Sequence, residues 1–215
     1  MSLTLYIDYL SQPSRAVYAF CLCNNIPFTV KETSVIAGGP RTPEFAKINR
    51  DKKVPAITHG DFALSESHAI MAYLASAFPV DDHWYPTDPK IKAKVDRYLH
   101  WHHGTIRQGL AGYIYRKIVR PKLTGREFHP ELEKEFLAIQ RRSLKFINNV
   151  LGKHKYIAET EQPSIADLSC FFECMTMILS GFDFKEYPNV ERWINDIKEI
   201  PGVKKAQEKT ENPRL

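Results

Sequence analysis

The stretch "PVDDHWYPTDP", beginning at Pro79, breaks every hydrophobic periodicity in the chain and divides it into two parts of different kind. Before it, apolar residues alternate in short runs and recur at helical spacing, in the order β-α-β-α-β-β-α over about 78 residues. After it nearly all the patterning is helical. The sequence therefore predicts an α/β domain over 1–78, a linker over 79–88 and an all-α domain over 89–215. The first part is too short for a full doubly wound nucleotide-binding sheet.

Within the first part, "LTLYID" from Leu3 reads as a strand, and "RAVYAFCLCNN" as a helix with Val17, Phe20, Cys21 and Asn24 on or beside one stripe. "FTVKET" alternates like a second strand, and "TPEFAKIN" opens a helix with Thr42 as cap and Pro43 in the first helical position. "VPAITHGDFALS" is a hairpin turned at Gly60-Asp61, and "ESHAIMAYLASAF" a helix whose apolar side holds Ile70, Leu74 and Phe78. Past the linker, "KIKAKVDRYLHWHHGTIRQGLAGYIYRKIV" reads as one long helix and "HPELEKEFLAIQRRSLKFINNVLG" as another, ending at Gly152. "SIADLSCFFECMTMILSGF" is apolar on nearly all sides, so its helix should run through the middle of the domain. Ser164 and Asp167 have the spacing of a capping box there, a structural signal.

Composition narrows the function. A chain of 215 residues, 43% hydrophobic, can fill one large core or two small ones. The formal charge of +5, from 30 basic and 25 acidic residues, is spread without a long run of like charge, which argues against nucleic acid as a partner. No apolar run is long enough for a membrane span, and "MSLTLYIDYL" lacks the pattern of a secretory signal. Cys21, Cys23, Cys170 and Cys174 form no C-x-x-C pair, so they read as reduced, largely buried thiols of a cytoplasmic protein. "HWHH" puts His100 and His103 on one helix face without a third ligand, and the reading is solvated histidines and no metal.

Four pieces remain: Ser11 in "SQPSRAVYAF" before the first helix, "KKVPA" from Lys52, "SES" from Ser65, and the "SIAD" box. In this order and at these separations they resemble the cytosolic glutathione transferases, and "YIDYLSQPSRAVYAF" with "HWYP" is most similar to the theta class. The likeness covers nearly the whole chain. It implies a thioredoxin-like domain that binds glutathione, followed by a helical domain that supplies the pocket for a small hydrophobic electrophile. It implies glutathione as co-substrate with no further cofactor, a transferase activity of which halide displacement or hydroperoxide reduction is one form, and a homodimer, for which Met71, Tyr98 and Trp101 are the expected contacts if exposed.

Residue by residue, the likeness implies a cis bond at Val54-Pro55 that offers the Val54 backbone to the tripeptide; an ordinary trans proline at a strand start is the alternative. Glu66 would take the γ-glutamyl ammonium, and Ser67 with the helix N-terminus its carboxylate, although Ser65 and Glu66 also make good helix-start chemistry with no ligand. Lys53 would neutralise the glycyl carboxylate. A theta-class histidine is replaced by Pro40, which has no N–H to donate, leaving Arg41 as the neighbour able to reach the same carboxylate. Arg107 would lie near the sulfur and hold a departing anion, the alternative being an ion pair between helices.

Ser11 is the catalytic expectation. A thiol of ordinary pKa is little ionised at neutral pH, and the N–H groups of a helix start together with a hydroxyl donor favour the thiolate. Pro13 puts Ser11 just outside the helix with its hydroxyl available, whereas Ser14 lies inside and bonds backbone. The ending "QEKTENPRL" reads as a polar tail with no further amphipathic helix, which would leave the electrophile side uncovered. A non-catalytic interaction module is the alternative function.

Overall fold

Strand β1 (Leu3–Ile7) buries Leu3, Leu5 and Ile7 and leaves Thr4 and Tyr6 half-buried between them, the alternation of a strand covered more deeply on one face. The computed structural model describes residues 2–211. After β1 come α1 (Gln12–Cys23), β2 (Thr29–Glu32), α2 (Pro43–Ile48), β3 (Ala56–His59), β4 (Phe62–Ser65) and α3 (Ser67–Ala77). The helical part holds α4 (Pro89–Gly104), α5 (Ile106–Gly109), α6 (Ala111–Ile114), α7 (Arg120–Thr124), α8 (Glu131–Leu151), α9 (Ile165–Leu179), α10 (Pro188–Lys198) and α11 (Pro201–Glu211). Two compact units result, one running up to Tyr85 and resuming at Lys198, the other spanning Pro86–Ile197. The sequence partition differs at the end of the chain, where α11 joins the first unit.

The first unit carries a four-stranded sheet in the order β2-β1-β3-β4. β2 runs parallel to β1, with Leu5 opposite Val30, while β3 is antiparallel to both β1 and β4. Gly60 turns the β3-β4 hairpin at φ 64°, a conformation glycine adopts without a Cβ clash. α1 packs on β1, α3 and α11, and buries Val17, Phe20 and Cys21. Phe45 of α2 meets the Tyr6 ring edge-on at 6.0 Å, so the less buried face of the sheet is also covered.

Local patterning misplaces three residues or segments here. Asn24 is a C-cap, its Nδ2 donating to the Phe20 carbonyl at 2.8 Å, and Phe78 ends α3 with its ring stacked on His59 at 5.3 Å. Residues expected as a polar tail form α11, which buries Val203 and Ala206; "NPRL" lies outside the described residues. A Cβ at Gly202 would come within 2.5 Å of the Cys23 backbone nitrogen, so glycine lets α11 approach α1 this closely. Met71 is fully buried, at 0% exposure, and is no contact surface.

In the helical unit, the expected single long helix breaks at Thr105 (φ −133°, ψ −90°) and again at Leu110 (φ −102°, ψ −104°), then passes into a π turn over Tyr115–Val119. Gly109 explains part of this. A Cβ there would lie 2.7 Å from the Gln140 nitrogen of α8, and Gln140 Nε2 donates to the Gly109 carbonyl at 3.1 Å. Tyr98 is 1% exposed and His102 4%, so Tyr98 is core rather than a subunit contact and His102 is not a solvated histidine.

α9 is the buried centre of this unit, as its pattern predicts. Ser164 caps it with a complete capping box, in which Asp167 Oδ2 accepts from the Ser164 nitrogen at 2.9 Å. Asp167 Oδ1 takes the Ile157 nitrogen at 3.0 Å and Trp193 Nε1 at 2.9 Å, tying α10 and the preceding loop to the start of α9. Burial pushes the Asp167 carboxyl above the usual carboxylate range, and these hydrogen bonds draw it partly back. Phe171 meets the Trp193 ring edge-on at 6.4 Å.

Candidate active site

The register of the sheet brings four connections to one edge. Ile7, at the end of β1, lies opposite Glu32 at the end of β2, while Tyr6 lies opposite Ala56 at the start of β3, and Ala56 opposite Ser65 at the end of β4. Segments 8–11, 33–42, 49–55 and 66–67 therefore all leave the sheet on the same side. Ser11, Arg41, Lys53, Val54, Pro55, Glu66 and Ser67 lie on them, so the topology assembles seven expected residues that sequence order scatters.

Asp8, 5% exposed, shapes the first two connections. Its Oδ1 accepts from the Leu10 nitrogen at 2.8 Å and its Oδ2 from the Val35 nitrogen at 2.7 Å, while the Ser11 nitrogen donates to the Asp8 carbonyl at 3.0 Å. Sequence reading missed Asp8, although an Asp followed by a turn and a helix start is the signal that would have found it. Beside these bonds stand two exposed apolar side chains, Leu10 and Ile36.

Ser11 is half-buried at the N-cap of α1, with extended backbone (φ −82°, ψ 115°), and its side chain makes no capping hydrogen bond. The Ser11 carbonyl still accepts from the Arg15 nitrogen at 3.0 Å, so the helix start is formed without the hydroxyl. Ser14 is fully buried and its Oγ accepts from the Asp8 nitrogen at 3.5 Å, the backbone bond expected of it. Tyr9, between Asp8 and Ser11, has its phenol pushed up to about 12, first by burial and then by Tyr18 and Glu32, so it is protonated at neutral pH.

The third connection contains the Val54-Pro55 bond in the cis form. Asn49, buried and also missed by sequence reading, holds the turn before it: Oδ1 accepts from the Asp51 nitrogen at 3.0 Å, and Nδ2 donates to the Lys53 carbonyl at 2.8 Å. Lys52 adopts φ 54° in that turn. Lys53 is exposed, Val54 half-buried and Pro55 buried.

At the fourth connection Glu66 takes φ 71° and ψ 113°, a strained conformation for a residue with a Cβ. Such outliers persist where the surroundings fix them, and here the strain turns β4 directly into α3. Glu66 is exposed, its side chain makes no capping bond, and Ser67 is buried at the first helical position. α1 and α3 thus both begin at this edge without a side-chain cap, whereas Thr42 caps α2 by accepting from the Phe45 nitrogen at 3.3 Å. Two helix N-termini without side-chain caps, on the same side of the sheet as the connections that carry Lys53 and Arg41, suit this edge to anionic groups. Pro40 is buried in the 3-10 turn Gly39–Arg41, and Arg41 is exposed.

Arg107 lies in the helical unit. Its Nη1 donates to Glu173 Oε1 at 3.1 Å, with the Arg107 side chain 36% exposed and that of Glu173 2% exposed. The interhelical ion pair weighed as the alternative for Arg107 is therefore formed. Among the described residues no group of three or more His, Cys, Asp or Glu side chains is placed to hold a metal ion, and no helix is long and apolar enough to cross a membrane.

Residues 5–84 match the family model of the glutathione S-transferase N-terminal domain, and residues 114–201 that of the C-terminal domain. Glutathione S-transferase T1 of Arabidopsis thaliana is 41% identical over 206 residues, covering 92% of this chain and 84% of the relative. Glutathione S-transferase theta-1 of Homo sapiens is 35% identical over 209 residues, covering 97% of this chain and 87% of the relative. The structure of human glutathione transferase theta-2 in complex with glutathione and an unknown ligand superposes with a TM-score of 0.89 at 31% identity, over 96% of this chain and 86% of that one. Agreement of this extent in both parts of the sequence means that the chain belongs to the glutathione S-transferase family.

Proposed function

We propose that this chain is a theta-class glutathione transferase, in which an N-terminal glutathione domain and the helical part that follows the linker serve one reaction: addition of the glutathione thiolate to a small hydrophobic electrophile. In halide displacement the sulfur forms a bond to carbon as the carbon–halogen bond breaks, and the halide leaves with the bonding electrons. In hydroperoxide reduction the thiolate bonds to the distal oxygen as the O–O bond breaks, and the alkoxide leaves with the bonding electrons and takes a proton to become the alcohol; a second glutathione thiol then attacks the resulting sulfenic acid, releasing water and forming the disulfide. Ser11 donates its hydroxyl hydrogen to the thiolate and is not itself the nucleophile. Glu66 takes the γ-glutamyl ammonium, Ser67 and the N-terminus of α3 take its carboxylate, and the Val54 backbone pairs with the cysteinyl unit. Lys53 and Arg41 neutralise the glycyl carboxylate, and Arg107 holds the departing anion.

The observation that carries this reading is the pair of uncapped helix starts at Ser11 and Glu66 on one sheet edge. Those N–H groups suit a ligand with a thiolate at one position and a carboxylate at another. The relatives named above support it by what they are. We also propose a cytoplasmic homodimer, whose contacts use residues other than the buried Met71 and Tyr98.

Isothermal titration with glutathione and with S-hexylglutathione tests the reading. Binding of both is expected, the S-hexyl conjugate more tightly. Absent or millimolar binding of both overturns it in favour of an assembly module, the alternative to which Pro40 points.

A further inference from the structure

The break between α5 and α6 has an unusual filling. In an unbroken helix the Ala111 N–H would donate to the Arg107 carbonyl four residues earlier. Here the Ala111 nitrogen donates instead to Glu173 Oε2 at 3.2 Å, while the other oxygen of that carboxylate, Oε1, accepts from Arg107 Nη1 at 3.1 Å. Glu173 thus occupies the missing rung: one oxygen satisfies the freed N–H and the other grips the side chain of the residue whose carbonyl lost it. Gly112 permits this fold-back, since a Cβ there would come within 2.4 Å of the Arg107 carbonyl oxygen.

A third partner joins them. His102 Nε2 lies 3.4 Å from Glu173 Oε1, and the other ring nitrogen, Nδ1, lies 3.3 Å from the Tyr98 hydroxyl. α4, α5 and α6 each contribute one partner to a carboxylate that α9 places in the interior. A carboxylate held in the interior is costly unless it is paired, and these partners offset that cost. The Arg107 side chain stays 36% exposed although its Nη1 is held by the buried Glu173.

We propose that Glu173 is the positioning residue for Arg107: it aims the guanidinium, by charge and by filling the helix break, and so sets how well Arg107 holds the departing anion. This rests on the role given to Arg107 above. Glu173 touches no reacting atom. Its effect on turnover passes through Arg107 alone, whereas a residue that merely stabilises the unit would act independently of Arg107.

The test is a double-mutant cycle of Glu173→Gln and Arg107→Ala on the whole chain, assayed with glutathione and para-nitrobenzyl chloride, whose leaving group is chloride. Gln keeps an acceptor for the Ala111 N–H and removes the charge that grips Arg107. The expected result is a fall in kcat of about tenfold in each single variant, KM for glutathione within about twofold of wild type, and a double variant no slower than Arg107→Ala alone. Multiplying losses in the double variant, or an unchanged kcat in Glu173→Gln, overturns the proposal. Should Glu173→Gln fail to fold by circular dichroism, Glu173→Asp, which keeps the charge, takes its place in the cycle with the same two outcomes. A wild-type chain that neither binds glutathione nor turns over overturns the functional reading itself. An active wild type with multiplying losses overturns only the role of Glu173.

Discussion

Replacing Ser11 by alanine separates a catalytic hydroxyl from a helix cap, because the structure assigns the two roles different costs. A side-chain cap contributes about 1 kcal/mol, but Ser11 makes no capping bond, and the contacts that form the turn are backbone ones that alanine retains. Ser11→Ala should therefore change stability by less than about 0.5 kcal/mol. Loss of one oriented donor to a developing or resident anion costs about 1.4–4 kcal/mol, which is a ten- to thousandfold fall in turnover. The thiol pKa of bound glutathione, read by the ultraviolet absorbance of the thiolate across a pH titration, should rise by about one to three units, each unit being about 1.4 kcal/mol. Glutathione affinity should stay largely intact. Ser14→Ala is the control: it strips the partner from the buried Asp8 N–H, costs about 1 kcal/mol of stability and leaves the bound thiol pKa in place. A Ser11→Ala variant with wild-type turnover and thiol pKa but a lowered melting temperature would refute the assignment and make Ser11 structural.

Asp8→Ala removes the acceptor for two backbone N–H groups, those of Leu10 and Val35, and should cost about 1–3 kcal/mol in chemical denaturation while weakening glutathione binding by loosening both connections. Asp167→Ala strands the Ile157 nitrogen, the Ser164 nitrogen and Trp193 Nε1 in the interior; a loss of about 3–5 kcal/mol with red-shifted tryptophan emission is expected, and a loss below 1 kcal/mol would contradict the network. Burial pushes the Cys23 thiol up to about 12 and raises those of Cys21 and Cys174 as well, so alkylation by iodoacetamide at pH 8 should be slow in the native protein and fast in urea. These folded thiols hold their protons where the unfolded ones, near 9.0, release them. Their contribution to stability is complete below about pH 9 and falls as pH rises towards 12, which alkaline denaturation at fixed urea would register.

Where a pattern is local, the sequence reveals the structure. The strands follow from period-2 alternation, the β3-β4 hairpin from Gly60-Asp61, and the start of α9 from Ser164 and Asp167, each decided by residues within a few positions of one another. Helix breaks are different. Residues 90–119 carry helical spacing throughout, and the break at Leu110 is filled by Glu173, bonded to Arg107 from 66 residues away. A lone acid in an apolar helix looks in sequence like a fault in the pattern, and becomes a design feature only when three donors from other helices surround it. Asp8 and Asn49 escaped notice for a related reason: their work is to hold backbone turns, for which neither periodicity nor composition gives a signal. α11 was missed because it buries few residues, and its close approach depends on Gly202, whose meaning is visible only beside Cys23. Of the site, the residues that meet at the sheet edge were legible because the family likeness is a set of short motifs, while their convergence is a consequence of strand register.

That register also sets the helix starts at Ser11 and Glu66, neither of which has a side-chain cap, on one side of the sheet. Three other helices are capped by their own side chains, α2 by Thr42, α4 by Asp88 and α9 by Ser164, while α5, α6, α7 and α8 start without one. On the proposed function, a cap at Ser11 would engage the hydroxyl with the backbone and withdraw it from the glutathione sulfur, and a cap at Glu66 would turn the carboxylate towards the first turn of α3 and away from the γ-glutamyl ammonium. Each omission costs the empty protein about 1 kcal/mol. A ligand carrying a thiolate and a carboxylate supplies acceptors for these same N–H groups, and since only the folded chain presents them together, its binding energy becomes folding energy. Saturating glutathione should therefore raise the melting temperature of the folded chain, by an amount that grows with the logarithm of its concentration above Kd.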